Sequence, residues 1–415
     1  MKKSIPALIL TAALTVTGRS AAQTQAWQTV DLHQREPGLS ATATDIGTAS
    51  DGVTLYSVGS SRYDTTGNYS AIVRKSTDSG VTWTDEDDYL ENGWATASYR
   101  GFGSGADGIF ACGELWDGVT GTKTWIVRQK SPAIFPNVAT WQTIDAFSQG
   151  STAKPSCGDV KVNPFTGDVY AVGRSNAGQP YGFMWAVRKK AVGQTNFTTV
   201  DNPGAQPFND GRAIGFHKTA GVFVVGCMGN GSKELWTVRR SLSGQPGTWT
   251  TVDTFQDASN TYSEASAIVV SADTIYVGGR ASQVVKGKTI NNWVVRRSLN
   301  AGNTWATVDR FGQEPAPYGK GAATITGITL SPSGQVFVTG ITPAPSELLV
   351  RKGSTLQNGT MSWQTSDQFQ QVAGLETYAR ALTTDAFGNI FSAGQGKVDS
   401  SGLGYFLTRK LTGQQ

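Results

Sequence analysis

Residues 292–311 read NWVVRRSLNAGNTWATVDRF, and the fold follows from what that stretch repeats. Trp293-Val-Val-Arg-Arg297 is aromatic and β-branched with alternation, the pattern of a half-buried strand. Ser298–Thr304 supplies Asn and Gly, which tolerate the backbone angles of a tight hairpin. Trp305-Ala-Thr-Val-Asp309 then alternates again. The second strand recurs as Trp27–Asp31, Trp83–Asp87, Trp141–Asp145, Phe197–Asp201, Trp249–Asp253, Trp305–Asp309 and Trp363–Asp367, with spacings of 56, 58, 56, 52, 56 and 58 residues. The first recurs around Arg74, Arg128, Arg188, Arg239, Arg296, Arg351 and Arg409.

A third motif is an apolar run ending in Gly59, Gly113, Gly173, Gly226, Gly279, Gly340 or Gly394. A fourth, less regular strand precedes each of these runs. Four short strands in a unit of about 56 residues are the mark of a propeller blade. The prediction is an all-β, seven-bladed β-propeller of four-stranded antiparallel blades. The chain opens on a fourth strand, Trp27–Asp31, and ends on a third, Tyr405–Leu411. The N-terminal strand is therefore expected to complete the last blade and close the ring.

Met1-Lys2-Lys3, the apolar stretch Ile5–Val16 and the small residues Ser20-Ala21-Ala22 have the three-part form of a secretory signal peptide. Cleavage is expected near Ala22, leaving residues 23–415 as one secreted or periplasmic propeller. The chain carries a net charge of +4, and removing the three cations of the leader (Lys2, Lys3, Arg19) leaves about +1. That balance offers no electrostatic case for nucleic acid or an anionic membrane. A monomer is expected.

Three cysteines, Cys112, Cys157 and Cys227, fall at different points of the repeat, so at most one disulfide can form in an oxidising compartment. There are two histidines. His33 takes a slot filled elsewhere by Phe or Tyr, and His217 lies in a turn on the face opposite the usual binding face. Histidine-based catalysis and metal binding are disfavoured. No cofactor is expected. The loops Asp64–Asn68 and Asp257–Asn260 offer oxygen ligands for calcium, although Asp and Asn in turns ordinarily bond to their own backbone.

Ser76-Thr-Asp78-Ser-Gly80-Val-Thr82-Trp83 matches S-x-D-x-G-x-T-W, and Ser298–Trp305 is a near copy with Asn300 in place of Asp. On these motifs the chain resembles the sialidase-like (BNR or Asp-box repeat) propellers over all seven blades, at the level of fold. The resemblance implies that Ser76, Asp78, Gly80, Thr82 and Trp83 form a structural hairpin away from the binding face. It also suggests a glycoside hydrolase, whose arginine cluster would hold a carboxylate. The early F-R-I-P motif of that family is missing, however, and sialidases have six blades, so no catalytic residue transfers by motif.

Charges repeated in every blade read as structure. So do Trp125, Trp185, Trp236 and Trp293, expected in the core rather than stacked on a glycan. Function is expected where the repeat breaks, on the loops that build the funnel mouth. The run Tyr262-Ser-Glu264, Tyr318-Gly-Lys320, Tyr378-Ala-Arg380 keeps an aromatic and varies the charge. With Trp116, Arg174 and Arg280, these residues are the candidate ligand-binding set, suited to a sugar or another polar partner. If the protein is an enzyme, the candidates are Glu264, Asp210, Glu114, Arg380 and Arg212. The favoured reading is a binding or scaffold propeller for a carbohydrate or cell-envelope partner, and a sialidase-like hydrolase is the alternative.

Overall fold

The computed structural model describes residues 26–132, 139–148, 154–176, 183–206, 208–230, 233–257, 261–285, 287–312, 324–343 and 346–413. The expected leader, with Tyr318, Lys320 and Asn260, lies outside the described residues. The described chain folds as seven antiparallel blades of four strands, and blade 3 carries a two-residue fifth strand, Ala205–Gln206. The first strands are Ala41–Thr48, Thr96–Gly105, Ser156–Val162, Asp210–His217, Ser263–Ser271, Thr324–Leu330 and Thr377–Thr384, and they define blades 1 to 7. Gln28–His33 pairs antiparallel with Gly404–Leu411, so the N-terminal strand is the fourth strand of blade 7 and closes the ring. Among the described residues no helix is long and apolar enough to cross a membrane.

Each part of the W-x-T-V-D motif has a separate task. Its Asp accepts the guanidinium of the next blade's arginine. The pairs are Arg74–Asp31, Arg128–Asp87, Arg188–Asp145, Arg239–Asp201, Arg296–Asp253, Arg351–Asp309 and Arg409–Asp367. Six are bidentate through Nε and Nη2, as in Arg296 to Asp253 at 2.7 and 2.7 Å. The Thr accepts from the arginine of its own blade, for example Thr307 from Arg296 at 3.2 Å and Thr29 from Arg409 at 3.1 Å. A bulge between Thr and Asp turns the two side chains to these different partners. Most of these arginines also lie over an aromatic ring two residues past the Asp, as Arg409 does over Phe369 at 3.6 Å. His33 fills that slot beside Arg74, and burial, then the Arg74 charge, lowers its pKa.

The repeated glycines have a steric cause. At all seven, a Cβ would fall within about 2 Å of a first-strand carbonyl oxygen of the same blade, for instance 1.8 Å from Ser98 O at Gly113. A bulge in every first strand presses that carbonyl inward. Trp125, Trp185, Trp236 and Trp293 are fully buried between blades, as expected.

The Ser76–Trp83 turn is capped from within. Asp78 accepts from the backbone N–H groups of Val81 and Thr82 and from the Thr82 hydroxyl, while Ser76 Oγ donates to it. Gly80, at φ 81°, lets the turn seat on Phe391 of blade 7, where a Cβ would meet the ring at 2.6 Å. Gly302 does the same on Phe223 of blade 4. Asp64 is likewise spent on its own turn, accepting from Thr66, Gly67 and Asn68 N–H. Asp257 pairs with Arg310. His217 bonds Asp273 of blade 5 through Nε2 at 3.2 Å and accepts from Ala220 N–H through Nδ1, joining two turns on the face away from the mouth.

Candidate functional site at the channel mouth

The bulge in each first strand aims one residue at the central axis. Going round the ring these are Thr44, Arg100, Gly158, Arg212, Ser266, Thr326 and Arg380, and all seven line both cavities of the channel. The mouth-side cavity measures about 300 Å³ and also touches Glu264, Thr324 and Ile341. The deeper one, about 360 Å³, runs down past Asp45, Asp159 and Lys161 to Thr48 and Thr383. Three arginines from blades 2, 4 and 7 therefore share one tier of the channel.

Their partners differ. Arg212 is clasped by two carboxylates, Nε to Glu264 at 2.7 Å and Nη2 to Asp210 at 3.1 Å. Asp210 also meets Arg174 at 3.4 Å, and Arg280 bridges Glu264 at 3.1 Å and Glu234 at 2.6 Å. The result is an alternating, charge-neutral chain across blades 3, 4 and 5: Arg174, Asp210, Arg212, Glu264, Arg280, Glu234. Burial pushes the Asp210 carboxyl up against the pull of Arg212 and Arg174. Burial, then the neighbouring Glu264, raises Glu234. Burial lowers Arg212, but Asp210 and Glu264 outweigh it and keep the guanidinium charged.

On blade 2, Glu114 accepts from Arg100 at 3.1 Å and Lys123 at 2.6 Å, so this cluster keeps one surplus positive charge. Burial raises Glu114, yet the two cations more than reverse that and hold it at about 2. The lowered value means Glu114 contributes stability above its unfolded pKa, near 4.5, which is lost as pH falls toward 2. A shift of this size corresponds to about 3 kcal/mol. Acid unfolding curves of Glu114→Gln should lack that share of the loss between pH 4.5 and 2, measured by urea midpoints at each pH.

Arg380 stands apart. Among the described residues no carboxylate pairs with it, and its Nε is buried without a hydrogen-bond partner. Its guanidinium lies 5.0 Å from the ring centre of Tyr378, whose hydroxyl donates to Gln395. Lys233 sits 4.3 Å from the ring centre of Tyr262 at the rim, and Trp116 is 37 % exposed at the end of the second strand of blade 2.

The register corrects one expectation. The Tyr-x-charge run suggested that Glu264 and Arg380 occupy the same slot. Glu264 in fact stands two residues ahead of its blade's channel residue, Ser266, and is equivalent to Asp210 and Tyr378. Arg380 is itself a channel residue. The structure thus joins Asp210, Arg212, Glu264, Arg174 and Arg280 into one chain, and keeps Glu114 and the Tyr378–Arg380 pair on other blades.

Sequence reasoning missed Glu234 and Lys123. Both stand two residues before the repeat tryptophan of their third strand, Trp236 and Trp125. It also missed the deeper group, where Lys161 reaches Asp159 at 3.3 Å, Asp45 at 3.5 Å and the Phe102 carbonyl at 2.7 Å. Among the described residues no three His, Cys, Asp or Glu side chains gather in metal-binding fashion.

No protein-family model and no curated protein matches the chain. Solved structures do. An α-L-arabinofuranosidase from Fusarium graminearum superposes with a TM-score of 0.51 at 11% identity, covering 94% of this chain and 98% of its own. A fungal alcohol oxidase of the AA5 family, in complex with copper, gives 0.52 at 11% identity over 94% and 76%. An α-L-arabinanase from Penicillium chrysogenum, complexed with arabinobiose, gives 0.49 at 11% identity over 92% and 94%. At this identity the likeness is one of fold.

Proposed function

We propose that the chain is an extracytoplasmic binding propeller, secreted or periplasmic, that takes a carbohydrate of the cell envelope into its channel mouth through an acidic substituent. The observation that carries this reading is the charge pattern. The arginines of blades 3 to 5 are neutralised by carboxylates, whereas Arg380 faces the channel with none among the described residues and Arg100 shares Glu114 with Lys123. A guanidinium held without a counter-ion in a narrow polar channel favours a carboxylate or sulfate on the incoming ligand. Tyr378, Tyr262 and Trp116 flank the opening and supply faces for sugar rings. The α-L-arabinofuranosidase of similar shape is a precedent for a saccharide on this fold. The capped hairpins at Ser76–Trp83 and Ser298–Trp305 support kinship with the sialidase-like Asp-box propellers.

A second reading, glycoside hydrolysis, is favoured by one observation. Asp210 and Glu264 occupy equivalent positions on adjacent blades and meet on a single guanidinium, and burial raises Asp210. A carboxyl of raised pKa beside a second carboxyl is the pairing such hydrolysis uses.

One experiment separates the two. A glycan array of neutral and acidic sugars is probed with the protein, and the same glycans are assayed for release. Arg380→Ala should weaken binding of acidic glycans about tenfold or more, as loss of a charged hydrogen bond does, and leave neutral ones nearly unchanged. Equal weakening of both classes would remove the role given to Arg380. Sugar release abolished by Asp210→Asn and Glu264→Gln would establish the hydrolase instead.

A further inference from the structure

Cys112, on the second strand of blade 2, and Cys157, on the first strand of blade 3, are both fully buried and belong to the same apolar cluster between those blades. Their positions in the repeat fix their proximity. Cys112 stands opposite the residue after its blade's bulge, as Val172 and Gly278 do in blades 3 and 5. Cys157 stands just before its bulge, as Gly211 and Ile325 do in blades 4 and 6. The equivalent pairs touch directly across their interfaces. A Cβ on Gly211 would lie 2.4 Å from a Val172 methyl, and one on Gly278 would lie 2.7 Å from an Ile325 methyl.

In both of those interfaces one partner is glycine, whereas between blades 1 and 2 the equivalent partners, Val58 and Tyr99, both carry γ atoms and share one buried cluster. Between blades 2 and 3 both partners carry a γ atom, and both γ atoms are sulfur. Gly101, opposite Cys112, adds to the closeness: a Cβ there would meet the Asp159 backbone at 2.6 Å. The thiols are free, and Cys157 Sγ donates to the Asp159 and Val172 carbonyls at 3.5 and 3.7 Å. Positions whose side chains meet at the first γ atom match the Cβ separation of a disulfide, about 3.8 Å.

We infer that Cys112 and Cys157 form a disulfide that staples blade 2 to blade 3 when the chain folds in the presence of a disulfide oxidant, leaving Cys227 as the free thiol. One cysteine thiolate attacks a sulfur of the oxidant, a small-molecule or protein disulfide. The second displaces it from the mixed disulfide. Two protons and two electrons leave the cysteines, and the oxidant departs as two thiols. In the closed ring both sulfurs are out of reach of solvent, so the exchange takes place before the two blades pack. Cys227 is remote in the repeat, and its Sγ donates to the Phe208 carbonyl at 3.1 Å.

The test is to unfold and reduce the full chain, then refold it in a mixture of oxidised and reduced glutathione, or in excess dithiothreitol. Thiols are counted in denaturant, and peptides are mapped by mass spectrometry without reduction. The expected result in the glutathione mixture is a fall from three thiols to one, a cross-linked peptide joining Cys112 to Cys157, and a higher thermal midpoint than the reduced form. The Cys227→Ser variant should show the same cross-link with no thiol left. The Cys112→Ser variant should keep both remaining thiols, and its melting should not depend on the redox mixture. Three thiols surviving oxidative refolding, or a cross-link through Cys227, overturns the inference. The peptide map of the unaltered chain decides the matter even where a serine variant folds poorly.

Discussion

Replacing Arg296 by Ala should lower the stability of the propeller by about 3–5 kcal/mol, the usual cost of leaving one member of a buried ion pair without its partner. Arg296 reaches back to blade 4 with two 2.7 Å hydrogen bonds to Asp253, a third to Thr307 of its own blade, and a guanidinium 4.5 Å from the ring centre of Phe255. Asp253 is only 7 % exposed at its side chain. Burial already raises its pKa, and Arg296 provides the main opposition. With the arginine gone, the orphaned carboxylate is best relieved by taking up a proton. A carboxyl whose folded pKa is raised contributes stability at low pH and loses it as pH rises through that value. The deficit of Arg296→Ala should therefore narrow as pH falls toward the ordinary aspartate value of about 3.9. Pairing it with Asp253→Asn should restore much of the loss at neutral pH, since no buried charge remains. Urea unfolding of the single and double variants checks both statements. A single-variant cost below about 1 kcal/mol, in the range of an exposed pair, would show that these bridges do not hold the blades.

A chain lacking residues 1–35 should fail to persist as a folded monomer. The deletion removes Gln28–His33, and with it the backbone ladder to Gly404–Leu411. It strips Arg74 of Asp31, and it takes from Arg409 both Thr29 and the Trp27 carbonyl. Trp27, 7 % exposed and packed with Phe337 and Leu348, goes too. What remains is an unpaired strand edge, which promotes association through backbone pairing. Light scattering with size separation should show aggregates or swapped dimers, and circular dichroism should show a lower midpoint. A synthetic peptide of residues 26–35 added in trans should reverse the effect. A truncated monomer that melts with the full chain would refute the account of ring closure.

The blades were legible in the sequence because each repeated residue answers a repeated physical need. The glycine avoids a carbonyl, the Asp and Arg join adjacent blades, and the tryptophan fills the gap between them. Such needs recur about every 56 residues, and so do their residues. The mouth was only half legible. Glu114, Arg174 and Arg280 directly follow the repeat glycines Gly113, Gly173 and Gly279, so their common level could be counted from the motif. The Tyr262/Tyr378 comparison failed because it aligned side chains by likeness rather than from the bulge, which sets who faces the axis. The solitude of Arg380 had no local signal at all. Whether a guanidinium is neutralised depends on carboxylates from other blades, distant in the chain and close only once the ring closes.

The tier of bulge residues has a consequence for how such a protein can change. Thr44, Arg100, Gly158, Arg212, Ser266, Thr326 and Arg380 each belong to a different strand, and none is among the buried apolar residues packed between blades. Together they behave as a seven-character code written round the axis, in which a character with no bond to another blade can be altered while the scaffold that displays it stays put, and Thr44 and Arg212, bonded to the next blade, are held more tightly. Exchanging Ser266 for arginine would rewrite the charge met by an entering molecule, whereas Thr326, whose hydroxyl donates to the Ala379 carbonyl of blade 7 at 3.4 Å, and Arg212, clasped by Asp210 and Glu264, are tied to their neighbours. Selection acting on this lineage could therefore retarget the channel one position at a time through the untied members of the ring.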